Sequence, residues 1–183
     1  MSQHRIRSSY QIDREIRAAN GGEYPKGPNG RRLCRICSTE VSGRRQTLCS
    51  EECTHKMMML CDPGYVRGKL YERDHGICTR CGIDCQAVRA AVRDMWDRVE
   101  CQAERQKWIG GILRTTVAFF AEHNLERHRT MWEAHHKIAV VEGGGECGLD
   151  NYETLCVWCH KRETRELARR RSELRRGQFA LDE

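Results

Sequence analysis

The stretch that decides the fold reads WEAHHKIAVVEGGGECGLDNYETLCVWCHK over residues 132–161. It contains, in order, a histidine pair, three consecutive glycines, an asparagine, and a Cys-x2-Cys pair followed at once by a histidine. The pattern predicts a strand over residues 132–141, a glycine loop, a second strand before Cys156 and then a helix. This order would bring four polar side chains together, namely His135, His136, Asn151 and His160.

Twelve of the 183 residues are cysteine, and eight of these form two sets with metal-ligand spacing. In each set a Cys-x2-Cys turn places two sulfurs on one side, and a second pair completes a tetrahedron of thiolates around Zn²⁺. We therefore expect two structural zinc ions. The first set is Cys34, Cys37, Cys49 and Cys53, and the second set is Cys78, Cys81, Cys156 and Cys159.

The two sets resemble copies of one structural motif, because RLCRIC at residues 32–37 parallels GICTRC at residues 76–81. The first set has only eleven residues between its pairs, which leaves no room for a strand–loop–strand segment, so we expect it to be purely structural. Cys61 or His55 could replace one of its ligands. The remaining cysteines, which we expect to be free thiols, are Cys61, Cys85, Cys101 and Cys147.

The composition is polar, with 39% hydrophobic and 32% charged residues, so bound metal is expected to help stabilise the fold. No apolar run is long enough to span a membrane, and the charged N-terminus lacks the apolar segment of a secretory signal. Cysteine-rich chains without such a signal usually bind metal rather than form disulfides. We expect an intracellular protein with no membrane partner, cytoplasmic in a prokaryote or virus and nuclear in a eukaryote.

The positive charge lies at the two ends of the chain, whose net charge is +6. Residues 1–48 carry ten basic and four acidic side chains, residues 161–183 carry eight and five, and the middle carries fourteen and seventeen. A basic arm and a basic tail would suit a polyanionic ligand. Solvated, partly disordered ends explain the same distribution equally well.

Glycine, proline and cysteine patterns divide the chain into three parts. We expect a flexible basic N-terminal arm over residues 1–30, with a short helix near residues 10–19, and a four-cysteine zinc module over residues 31–60. The main domain would cover residues 61–183, with a helical insertion at 85–131 and a C-terminal helix at 160–176. The insertion carries two apolar stripes, Val88, Val92, Met95 and Val99 followed by Trp108, Ile112, Thr116 and Phe119.

The chain resembles the HNH, or His-Me finger, endonucleases, and especially their zinc-stapled members. The matching residues are EAHHK at 133–137, GGG at 143–145, LDN at 149–151 and LCVWCHK at 155–161. The resemblance implies an α+β fold: a small zinc-stabilised ββα-metal domain with a helical insertion, preceded by the four-cysteine module. Residues 61–183 would then be an HNH nuclease domain that hydrolyses phosphodiester bonds in DNA with a single divalent ion.

The same resemblance assigns roles to the clustered residues. His136 corresponds to the general base that activates water, a task that suits an imidazole. Asn151 corresponds to the asparagine that orients this base or contacts the metal, and His160 corresponds to a ligand of the catalytic ion. His135 stands where the family usually has aspartate, as it does in colicin-type DNases. Two imidazoles suit Mn²⁺, Ni²⁺, Co²⁺ or Zn²⁺ better than Mg²⁺, which prefers oxygen ligands. The expected cofactor is one catalytic divalent cation, Mg²⁺, Mn²⁺, Ni²⁺ or Zn²⁺.

DNA would be bound mainly through its phosphate backbone, by basic residues that flank the histidines in the sequence. The expected contacts are Lys137, Lys161, Arg162 and Arg165. The N-terminal module carries Arg31, Arg32, Arg44 and Arg45, and could be an auxiliary reader of DNA or protein, or only a stabilising cap.

The preferred interpretation is a metal-dependent DNA endonuclease with His136 as general base. The first alternative is a catalytically inactive, zinc-dependent nucleic-acid-binding module, which His135 in place of aspartate keeps open. A second alternative is an adaptor whose zinc knuckles bind a protein partner.

Overall fold

The computed structural model describes residues 8–98, 130–145 and 147–179. Helices and a two-stranded sheet, in the order β1–β2, make up this part of the chain, which is the α+β class expected from the sequence. The elements are α1 Ser9–Ala19, α2 Glu51–Cys61, α3 Pro63–Asp74, α4 Cys85–Arg98, β1 Trp132–His136, β2 Tyr152–Cys156 and α5 Val157–Phe179. None of the helices described is long and apolar enough to cross a membrane.

The chain divides into two compact units. The first unit comprises residues 1–69 and 136–152, and the second comprises residues 70–135 and 153–183. The predicted domain boundaries at residues 30 and 60 stay a prediction. Of the predicted insertion, Val88 and Val92 lie on α4, whereas Val99, Cys101 and the stripe from Trp108 to Phe119 lie outside the described residues.

The first unit is organised around its four cysteines. Cys34, Val41 and Cys53 form a small buried core. Helix α1, expected near residues 10–19, begins after a capping box at Ser8. It contacts the module through an ion pair between Asp13 and Arg35, with 2.8 Å between Oδ1 and Nη2. The N-terminal arm therefore contains a helix that packs with the cysteine module.

The second unit has its core where β1 and β2 meet the start of α5. The fully buried side chains of this unit include Leu70, Met131 and Leu155, together with Cys78, Cys85 and Cys156. Every residue of β2 is buried, and residues 153–156 of this strand belong to the second unit. Helix α5 starts immediately after Cys156, and the N–H of Val157 donates to the carbonyl of Met131 at 3.1 Å.

Strand β1 is shorter than the predicted strand over residues 132–141, because it ends at His136. The Asn151 side chain binds both backbone groups of Ile138: the Ile138 N–H donates to Oδ1 at 2.9 Å, and Nδ2 donates to the Ile138 carbonyl at 3.1 Å. Backbone groups satisfied in this way cannot also join a strand ladder. The chain therefore turns after β1 and forms a short 3-10 turn at Val140–Glu142.

Helix α5 is longer than the predicted helix over residues 160–176, since it begins at Val157 and continues through Gly177 to Phe179. Glycine lowers helix propensity by about 1 kcal/mol relative to alanine, which weakens a helix without ending it. The residues before Gly177 are mainly arginine, glutamate and leucine, whose high helix propensity favours continuation of the helix past this position.

Candidate active site

The first cysteine cluster has the geometry of a tetrahedral thiolate site. The Sγ atoms of Cys37 and Cys49 lie 3.3 Å apart, those of Cys49 and Cys53 lie 3.6 Å apart, and all four Sγ atoms, including that of Cys34, lie within 4.8 Å of one another. A tetrahedron with Zn–S bonds of about 2.3 Å has sulfur–sulfur edges of about 3.8 Å. The four predicted residues can therefore hold a metal ion.

The two possible substitute ligands are engaged elsewhere. The Nδ1 atom of His55 lies 2.8 Å from the hydroxyl of Tyr65, and the thiol of Cys61 donates to the carbonyl of Met57 at 3.0 Å. Neither belongs to the cluster of metal-ligating side chains found among the described residues. The first site therefore consists of cysteines only.

The thiols of the first cluster differ in acidity. The Thr39 hydroxyl, 3.4 Å from Sγ of Cys37, lowers the pKa of this thiol to about 6. The contact with Cys37 raises the pKa of Cys49 to about 12, because a neighbouring thiolate disfavours a second negative charge. A cation among the sulfurs would relieve this repulsion, as expected for a site that holds metal.

The second cysteine cluster joins the knuckle at Cys78 and Cys81 to the junction of β2 and α5. The Sγ atoms of Cys81 and Cys156 lie 3.7 Å apart, and the N–H of Cys159 donates to Sγ of Cys156 at 3.4 Å. All four sulfurs again lie within 4.8 Å of one another, as a metal site requires. Burial raises the pKa of the nearby Cys85 to about 12, so this thiol stays neutral outside the cluster.

A buried carboxylate connects this knuckle to β2. Glu153 is 5% exposed and accepts hydrogen bonds from Arg80, at 2.9 Å, and from the Thr79 hydroxyl, also at 2.9 Å. Burial alone would raise the pKa of Glu153, but these two donors outweigh it and hold the pKa below its usual value. Glu153 was not predicted from the sequence, although a single acidic residue in a short predicted strand is a usable signal.

We expect Arg80→Met to lower the free energy of unfolding by about 2 kcal/mol at neutral pH, because it leaves a buried carboxylate without its cation. The folded pKa of Glu153 is depressed, so its stabilising effect is present above the unfolded pKa of about 4.3 and is lost as the pH falls through the folded value. Urea unfolding at several pH values should therefore show the two proteins converging in acid. A difference that grows on acidification would contradict this account.

His135 and His160 are brought together in the second unit. Their rings meet edge to face, with centroids 5.4 Å apart and an interplanar angle of 82°. His135 lies in β1, and His160 lies in the first turn of α5, directly after Cys159. Burial, and then the neighbouring His160, lower the pKa of His135, which favours the neutral imidazole that binds metals.

The spacing of these two rings fits joint binding of one ion. With metal–nitrogen bonds of about 2.1 Å, two imidazoles on one ion have centroids about 5 Å apart. Among the described residues, groups of three or more metal-ligating side chains occur only at the two cysteine clusters. The histidine pair would therefore supply two ligands and leave the other coordination positions for water and substrate.

His136 and Asn151 belong to the first unit, so the predicted convergence of all four residues stays a prediction. The ring of His136 packs on the ring of Tyr152, with centroids 4.2 Å apart. Besides its two bonds to Ile138, Asn151 donates from Nδ2 to the carbonyl of Gly144 at 2.9 Å. Through these three hydrogen bonds the Asn151 side chain holds the loop that follows β1; we call them the Asn151 clamp.

The comparisons with known proteins agree with the sequence pattern. A model of the HNH endonuclease family matches residues 122–166. The human ZRANB3 HNH domain, whose crystal structure is known, is 30% identical in sequence to this chain. The match covers 61% of this chain and 94% of that domain, with a TM-score of 0.48. This chain belongs to the HNH endonuclease family. The cysteine clusters are consistent with the zinc-stapled members of the family.

Two curated HNH relatives are much longer proteins. The mouse DNA annealing helicase and endonuclease ZRANB3 is 30% identical over 160 residues, and the human protein of the same name is 28% identical over 160 residues. Each match covers 82% of this HNH chain, which spans about 15% of the length of these relatives.

Proposed function

We propose that this chain is a metal-dependent DNA endonuclease that hydrolyses phosphodiester bonds at a single-ion HNH site. The observation that carries the proposal is the His135–His160 pair, which lies next to the cysteine cluster at the start of α5. Membership of the HNH endonuclease family supports the reaction class, and the names of the ZRANB3 relatives support DNA as the substrate. Two Zn²⁺ ions would occupy the cysteine clusters as structural metals.

His135 and His160 would hold the catalytic cation through neutral imidazole nitrogens. When bound, a divalent ion at this position supplies Lewis-acid stabilisation of the phosphate and of the departing 3′ oxygen. The two-imidazole donor set favours Mn²⁺, Ni²⁺ or Zn²⁺ over Mg²⁺. The second cysteine cluster would fix His160 by anchoring the first turn of α5, because Cys159 immediately precedes it.

His136 would act as the general base and take a proton from the attacking water. The ring of Tyr152, tilted by 44° against the imidazole, would restrict its orientation. Asn151 would act through the loop rather than on the water, since its amide binds the backbone of Ile138 and of Gly144. It is a positioning residue in this account.

Gly144→Ala should lower the cleavage rate by about 100-fold, because a small displacement of catalytic groups can cost this much. A Cβ atom at Gly144 would lie 1.8 Å from the Ile138 carbonyl oxygen and 2.8 Å from Nδ2 of Asn151, so the loop would have to move. The matched control is Gly148→Ala, since nothing lies within 4 Å of a Cβ atom there. Equal rates for the two variants in a DNA-cleavage assay would contradict the proposal that the Asn151 clamp positions the catalytic residues.

Four basic residues would contact the phosphate backbone: Lys137, Lys161, Arg162 and Arg165. Lys137 and Arg162 also have contacts within the chain. Nζ of Lys137 donates to the carbonyl of Asp150 at 2.7 Å, and Nη2 of Arg162 lies 3.8 Å from Sγ of Cys159. Arg165 is exposed on α5. We therefore expect Arg165 to be the most readily available of the four for phosphate.

Plasmid cleavage tests the proposal against the alternative of an inactive nucleic-acid-binding module. Supercoiled DNA would be incubated with Mn²⁺, Ni²⁺ or Mg²⁺ and with the wild-type chain, His136→Ala or His75→Asn. His75 is an exposed histidine with φ 53°, a conformation that asparagine tolerates, so His75→Asn is the matched control. We expect cleavage by the wild type and the control only. Intact plasmid with every protein and ion would favour the inactive module.

A further inference from the structure

The first unit contains a basic cleft outside the predicted catalytic residues. Its volume is about 440 Å³, and it is lined by Arg31, Arg32, Val41, Gly43, Arg45 and Gln46. The three arginines are exposed, whereas Val41 is buried, so the accessible lining is mainly guanidinium. We call these six residues the arginine cleft.

The charges of the arginine cleft are poorly balanced by acidic groups. In the part of the chain that the structure describes, neither Arg31 nor Arg32 forms an ion pair, and Arg45 reaches Glu51 only at 3.8 Å between two exposed side chains. Exposed pairs of this kind contribute little energy. Glu40, whose carboxylate is bonded by Asn29 at 2.8 and 2.6 Å, interacts electrostatically with Arg31 and offsets part of its charge, so three arginines face two carboxylates, those of Glu40 and Glu51. The cleft therefore keeps a net positive charge.

Three guanidinium groups lie close to the ring of Tyr24, beside the cleft. The guanidinium of Arg32 lies 4.7 Å from the ring centroid of Tyr24, and those of Arg35 and Arg17 lie 5.7 and 5.8 Å away. Asp13 pairs with Arg35. Stacking on a ring orients a guanidinium without neutralising it, so Arg32 is held ready for an anion.

We propose that the arginine cleft is a second DNA-binding site, which contacts the phosphate backbone independently of the catalytic residues. Several separate guanidiniums on an open surface suit an array of phosphates, each of which can be neutralised by one arginine. Peptide recognition usually adds a strand edge or apolar pockets for side chains, and this lining offers one buried valine. The inference rests on the proposed function only for the choice of DNA as the polyanion.

The test measures binding of a short fluorescein-labelled DNA duplex by anisotropy, with the zinc-replete 183-residue chain carrying His136→Ala so that the DNA stays intact. Arg31→Ala/Arg45→Ala removes two cleft charges, and Arg14→Ala/Lys56→Ala removes two exposed charges elsewhere in the same unit. We expect the cleft variant to weaken binding at least about tenfold and to reduce the slope of log K against log salt by about 1.8. The control should change affinity less than about twofold.

Two further arms make the result decisive. Arg31→Lys/Arg45→Lys keeps the charges and should retain most of the salt slope, which separates lost phosphate contacts from misfolding. Equal losses in the cleft and control variants, or an unchanged slope, would overturn the proposal. Displacement of the duplex by poly-glutamate at equal charge concentration would also overturn it, in favour of an acidic protein partner. No cleavage is measured, so failure of the proposed nuclease activity would appear separately.

Discussion

His160→Ala should reduce DNA cleavage by at least about 1000-fold while the chain keeps both structural zinc ions. The expected loss is large because a bound metal supplies several kcal/mol of transition-state stabilisation, and His160 is one of only two protein ligands proposed for it. The cysteine clusters do not include this residue, so zinc content should not change. Cleavage kinetics and metal analysis of the same preparation give both quantities.

Thr164→Ala is the matched control for this variant. Thr164 lies one turn further along α5, where its hydroxyl donates to the carbonyl of His160 at 2.9 Å. We expect cleavage within about twofold of the wild type, since an exposed threonine hydroxyl bonded within the helix is a poor metal ligand. If His160→Ala instead released one zinc ion, or if both variants cleaved normally, the assignment of His160 to a separate ion would be wrong.

Cys156→Ser should release one of two zinc ions and unfold the second unit. Cys156 is 1% exposed and connects the fully buried strand β2 to α5. Binding of structural zinc contributes about 10–16 kcal/mol, which is as large as the whole stability of a typical domain. Metal analysis should therefore give about one zinc per chain, and circular dichroism should show a loss of helix.

Cys85→Ala separates the loss of zinc from the loss of a buried thiol. Cys85 is fully buried in the same unit but does not belong to the cluster. We expect it to lower the free energy of unfolding by only about 1–2 kcal/mol and to leave both zinc ions bound. A Cys156→Ser chain that kept both ions and its helix content would contradict the structural role of the second cluster.

The cysteine clusters and the β2–α5 junction could be predicted because their signals are local. Cys-x2-Cys spacing places two sulfurs together whatever surrounds them. His160 directly follows Cys159, so its position is determined by the same turn. The order of a strand, a loop, a strand and a helix follows from the positions of the glycines and the cysteines. These local signals predicted the four cysteines of each cluster and the position of His160 on α5.

Other features depend on contacts between distant residues and could not be predicted in this way. The end of β1 at His136 depends on the side-chain amide of Asn151, which binds both backbone groups of Ile138, thirteen residues before it. The buried carboxylate of Glu153 depends on Arg80, which is separated from it by 73 residues. The spacing of the glycines also did not indicate that a Cβ atom would collide with the Ile138 carbonyl at Gly144 but would meet no other atom at Gly148.

The most direct test of the proposed function is plasmid nicking by the chain holding two zinc ions and no further metal, with and without added Mn²⁺, followed by ligase treatment of the products. The account predicts that nicks appear only when Mn²⁺ is added and that ligase seals them, because departure of the 3′ oxygen in the proposed reaction would leave a 5′-phosphate and a 3′-hydroxyl. Plasmid that stays supercoiled with Mn²⁺, or nicking that is equally fast without it, would contradict the claim of a catalytic ion separate from the two structural zinc sites.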